Sequence, residues 1–112
     1  MTLQELRIGN TVSAFGRKEV KVEGISIRDG LIETDGFAER GVEDFEGVIL
    51  TDERLLRFGF CDREFSFDRG SFFLTKKKSE SGYLYQAHTD RFKIKYVHQL
   101  QNLYFALIGV EL

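Results

Sequence analysis

A chain of 112 residues, 42% hydrophobic and 13% aromatic, has the apolar content to bury one core of ordinary size, which argues against disorder and leaves no room for two independent domains. Its formal net charge of -2 lacks the strong basic excess of a dedicated nucleic-acid binder, and no window of about 18 apolar residues exists to span a membrane. One cysteine, Cys61, forbids an intramolecular disulfide, and the start MTLQELRIGN has neither a basic nor an apolar leader, so a soluble, cytoplasmic protein with no membrane association is expected.

The chain contains no proline and eleven glycines, so its turns fall to glycine, as in tight hairpins. After the loop Gly9-Asn10, Val12 and Ala14 alternate as a first short strand. Val20 and Val22 alternate with Lys21 and Glu23, slip phase at Gly24 and resume at Ile25 and Ile27, which predicts a bulged strand. Asp29-Gly30 then turns the chain into Leu31 to Thr34. Three or four such strands suit a small SH3-like or OB-like barrel over residues 1–50. The acidic, weakly patterned stretch from Asp35 to Gly47 reads as a surface loop.

At Thr51 the period changes. Thr51 can cap a helix, Asp52 and Glu53 suit the positive end of its dipole, Leu50 and Leu55 can staple it, and Gly59 can stop it. Strands are predicted over Glu64 to Phe67, Phe72 to Thr75 and Tyr83 to Ala87, with turns at Arg69-Gly70 and Ser81-Gly82. Phe92, Ile94 and Tyr96 alternate with Lys93 and Lys95 as a fourth. From Val97 the spacing is helical: Val97, Leu100, Leu103, Tyr104, Leu107 and Ile108 share a face, and Gly109 ends the helix. The expected whole is one α+β domain with sub-lobes 1–50 and 51–112, the last helix lying over the aromatic face of the second sheet.

Three segments carry a resemblance: Leu6-Arg7-Ile8-Gly9-Asn10, the stretch from Leu50 to Phe60 (LTDERLLRFGF), and the stretch from Lys95 to Leu107 (KYVHQLQNLYFAL). Together they resemble a family of small uncharacterised proteins of bacterial phages and prophages. The resemblance implies a genomic setting and carries no activity, cofactor or site residue with it.

Chemistry-bearing side chains are few. Cys61, His88 and His98 could in principle form a nucleophilic pair, but a lone thiol is usually core and a histidine in a first helical turn is usually structural. His98 is the best polar candidate because Gln99, Gln101 and Asn102 cluster near it. No zinc spacing, calcium loop, phosphate-binding glycine loop or nucleophile elbow is present, so no metal, no cofactor and no enzyme activity are expected.

Charge placement says more. Residues 1–56 hold seven Lys or Arg against twelve Asp or Glu, and residues 57–112 hold nine against six. Lys76, Lys77, Lys78, Arg91, Lys93 and Lys95 are the candidate contacts for a nucleic acid, although alternation puts Phe92, Ile94 and Tyr96 on the face opposite the lysines, where they belong to a core. Solvated or edge-guarding lysines are the preferred reading. The acidic run Glu33, Asp35, Glu39, Glu43, Asp44 and Glu46 fits a solvated loop better than a docking surface or a mimic of nucleic-acid charge. The function expected is a non-catalytic phage or prophage accessory protein that binds another protein or itself, with nucleic-acid binding as the alternative.

Overall fold

The computed structural model describes residues 1–14, 18–35, 37–64, 66–79, 82–87 and 92–112, with the backbone alone at 18, 37, 38, 78, 79, 82–84 and 92. These divide into two compact units: residues 1–48 with 96–111, and residues 49–95, which Leu112 joins. Each carries a five-stranded antiparallel sheet, so the α+β class holds.

The first unit opens with a 3-10 turn, Leu3–Glu5, and continues through β1 (Thr11–Ala14), β2 (Lys18–Ser26), β3 (Leu31–Thr34), β4 (Phe37–Gly41) and β5 (Phe45–Gly47). Strand order is β4-β3-β2-β1-β5. The predicted slip is a register shift between Val22 and Gly24 in the β2–β3 pair. Val12, Ala14, Val20, Val22, Ile32 and Phe45 form the core with Leu6. Two expectations fail here. Asp35 to Gly47 is not a loop: β4, a 3-10 turn (Val42–Asp44) and β5 occupy it, with Phe45 buried and Glu39, Glu43, Asp44 and Glu46 outward. Strands this short offer too few alternations to register as a period. Ile27, expected to continue the inward phase, lies past the end of β2 and is 81% exposed.

The second unit comprises α1 (Asp52–Arg57), β6 (Cys61–Asp62), β7 (Ser66–Arg69), β8 (Phe72–Ser79), β9 (Gly82–Ala87) and β10 (Phe92–Ile94), ordered β10-β9-β8-β7-β6. The Thr51 hydroxyl accepts from the Arg54 amide at 3.3 Å, as a helix cap should. Of the predicted turn at Ser81-Gly82, Ser81 lies outside the described residues. The inner face is aromatic: Phe67 meets Tyr85 and Phe60 meets Phe72 edge-on, with centroids 6.2 and 6.1 Å apart.

The last helix, α2 (Val97–Ile108), ends at Gly109, whose φ of 87° suits a residue without a Cβ. It belongs to the first unit, where the sequence reading had put it over the second sheet. Its buried residues are Val97, His98, Leu100, Gln101 and Tyr104, while Leu107 and Ile108 are exposed. The inward face is thus rotated toward two polar side chains, and hydrogen bonds to the amino-terminal segment make that burial affordable.

Candidate functional site

His98, Gln99, Gln101 and Asn102 each make a hydrogen bond within the fold. The Thr11 amide donates to Gln101 Oε1 at 2.9 Å. Asn102 Oδ1 accepts from Asn10 Nδ2 at 2.8 Å and from Arg7 Nη1 at 3.1 Å, and Asn102 Nδ2 donates to the Glu5 carbonyl at 2.6 Å. Gln99 turns back to accept from the Tyr96 amide at 3.0 Å. Asn10 is fully buried, and its own Oδ1 accepts from the Arg7 amide at 2.8 Å. The Arg7 guanidinium also lies 4.1 Å from the Phe105 ring centroid and pairs with Glu111. His98, Gln101 and Asn102 hold α2 against the segment from Glu5 to Thr11, while Gln99 caps the start of the helix. The segment Leu6 to Asn10 and the helix from Val97 therefore meet through these bonds.

Sequence reading passed over Asn10 as a loop residue. Nothing in a Gly-Asn pair distinguishes a turn asparagine from a buried one; the paired polar positions on α2 are what make its burial possible.

His98 is 1% exposed, stacked 5.7 Å from Tyr96, with Nε2 placed 3.3 Å from Glu5 Oε2. Neutral, with Nε2–H donating to the carboxylate, it leaves Nδ1 as a buried acceptor without a partner among the described residues. Burial pulls its pKa below the ordinary histidine value, outweighing the opposing hydrogen bond and charge of Glu5. For Glu5, desolvation pushes the carboxyl up, but the His98 and Thr2 hydrogen bonds prevail and its pKa ends lowered. The stability consequence has one sign. At pH below about 6.5 the unfolded chain protonates its histidine while the folded chain resists. Stability is therefore fully present above that pH and is lost as pH falls toward the folded-state value. Thermal melts between about pH 7 and 5 should show this loss, and His98→Gln should flatten it. A wild-type profile that is level over that range would contradict a buried neutral imidazole.

In the second unit the six basic candidates separate. Lys76 sits on the inner side of β8 beside Tyr85, and its ammonium reaches Asp52 Oδ2 at 2.5 Å. The Tyr85 hydroxyl donates to the other carboxylate oxygen of Asp52. Burial pushes the Asp52 carboxyl up, but the Lys76 and Tyr85 hydrogen bonds more than offset it, so its pKa is lowered. Burial and the Asp52 carboxylate push the Tyr85 phenol up, which keeps it protonated. These groups line a hollow of about 460 Å³ with Ile49, Leu50, Thr51 and Glu53. A protonated phenol and an ionised carboxylate paired with the Lys76 ammonium make a clamp on the start of α1. Lys77, Lys93 and Lys95 are exposed. Arg91 and the Lys78 side chain lie outside the described residues, as does His88. Cys61 is exposed on β6.

A second hollow, of about 350 Å³, lies in the first unit among Leu3, Gln4, Leu6, Ile25 and Ile27. Among the described residues no group of three or more His, Cys, Asp or Glu is placed to hold a metal ion, and no helix is long and apolar enough to cross a membrane. Comparison with protein-family models, with curated proteins and with solved structures finds no match to this chain.

Proposed function

We propose that this chain is a non-catalytic binding module, an accessory protein of phage or prophage type working in the cytoplasm by holding a protein partner against its first unit. The observation that carries the reading is Ile27, 81% exposed beside the apolar hollow that Leu3, Leu6 and Ile25 complete. Large aliphatic side chains left in water beside a concave apolar surface favour association. The unit that bears them holds six Lys or Arg against eleven Asp or Glu. The matching partner segment therefore presents a bulky apolar side chain flanked by basic residues. An SH3-like, barrel-like form of the first unit goes with this reading, supported by the bulge in β2 and the return of β5 to β1. The phage setting rests on the resemblance alone.

Selection from a displayed random-peptide library tests it. Peptides retained by the purified chain should be enriched in an apolar residue with neighbouring Lys or Arg, and Ile27→Ser should abolish retention. Retained peptides of no common character, or equal retention by Ile27→Ser, would refute the assignment. Sedimentation across protein concentrations distinguishes a second copy of the chain from a foreign segment as the occupant.

A further inference from the structure

We infer that the outer face of the second sheet binds single-stranded nucleic acid, with Phe73 as a stacking platform and Lys77, Lys93 and Lys95 as phosphate contacts. This surface is distinct from the hollow in the first unit. On β8, Phe72 and Leu74 are fully buried, so the alternate residues Phe73, Thr75 and Lys77 face outward. The register carries that face across the sheet: Thr75 stands opposite Gln86, and Gln86 opposite Lys93. Lys95 flanks the buried Ile94 on the far side from Lys93 and is likewise exposed.

Two features separate this face from a merely solvated one. Edge strands use lysine to block pairing, and Lys93 and Lys95, on and next to the edge strand β10, could serve that end. Lys77 cannot, because β8 is the central strand, where no edge needs guarding. Phe73 is the second feature. It holds 46% of its surface in water at the start of the central strand, whereas the aromatic side chains of Phe67, Phe72 and Tyr85 are buried. An exposed ring on a strand, with cations on the same side, is what unstacked bases and their phosphates require.

Charge complementarity points the same way. Residues 49–95 hold ten Lys or Arg against seven Asp or Glu, and Asp68, the residue opposite Phe73, is paired with Arg63 at 3.3 Å. A duplex fits less well, since its bases are stacked away from a flat aromatic surface.

The test is fluorescence anisotropy of labelled single strands of about 12 nucleotides, DNA and RNA, titrated with the full chain between about 50 and 200 mM salt. Binding should weaken with salt. Replacing Lys77, Lys93 and Lys95 together by glutamine should reduce the slope of log affinity against log salt by about 2, at roughly 0.7 per phosphate contact. Phe73→Thr should weaken binding roughly 5- to 150-fold, the range of one lost base stack. Lys21→Gln, on the first unit, should change neither, and circular dichroism should show every variant folded. No binding at the lowest salt would overturn the assignment. So would unchanged affinity of Phe73→Thr, tighter binding of a duplex, or equal competition by polyglutamate, which would mark a generic anion surface or one for an acidic protein.

Discussion

Replacing Asn10 by alanine should cost the first unit about 3 kcal/mol, more than most single substitutions. The side chain is fully buried and is both acceptor and donor: it satisfies the Arg7 amide and gives its own Nδ2 hydrogen to Asn102. Alanine leaves the Arg7 amide without its side-chain acceptor, strips one donor from Asn102 and opens a void beside α2. The Asn10 backbone also brackets β2, since its carbonyl accepts from the Val22 amide and the Gly9 amide donates to the Val22 carbonyl, each at 2.8 Å. Hydrogen exchange at Thr11 and Val22 should therefore report the loss, accelerated by roughly 150-fold for 3 kcal/mol. Asn102→Ala should cost a similar amount. The double variant should cost less than the sum, because one bond is shared. Additive costs would show that the two amides act independently and would refute the network.

Gly47→Ala should destabilise the same unit by about 1 to 3 kcal/mol, although the substitution adds one methyl group to a strand. A Cβ at Gly47 would fall 2.7 Å from Tyr96 Cδ1, 2.8 Å from Tyr96 Cγ and 3.1 Å from His98 Cε1. The two rings stack within 13° of parallel, so the nearer one cannot withdraw without disturbing the other. The His98 titration followed by proton NMR gives a second readout. In the wild-type chain its midpoint should lie below about 6.5, and Gly47→Ala should raise it toward that value as the stack loosens and water enters. Tyr96→Leu should relieve most of the alanine's cost. Gly47→Ala with unchanged stability would mean that the ring pair does not rest on this glycine.

The sequence made most of the second unit legible, because its signals are local. Thr51 before Asp52-Glu53, glycines at 59 and 70, and the apolar run Phe72 to Leu74 each mark an element from within a few residues. The bulge at Gly24 was legible for the same reason. What stayed hidden depends on partners far along the chain. The buried face of α2 includes His98 and Gln101, and hydrophobic spacing cannot reveal polar positions whose burial is secured by Glu5 and Thr11, 93 and 90 residues before them. Phe73 was missed because two adjacent phenylalanines read as one apolar strand, and only the register decides which of them faces water. Lys76 grouped with Lys77 by sequence but points to the opposite side, as alternation requires.

The division of the chain also bears on how it is made. The first unit takes its strands from residues 1–48 and its helix from residues after 96, whereas residues 49–95 are contiguous. On a ribosome moving at about 5 to 20 residues per second, β1 to β5 wait several seconds for the helix that covers Asn10 and Thr11. The second sheet has all its strands before that helix exists. Vectorial synthesis thus favours the later-coded sheet forming first and the earlier-coded one closing last, with the buried polar side chains near the amino terminus hydrated until the final helix arrives.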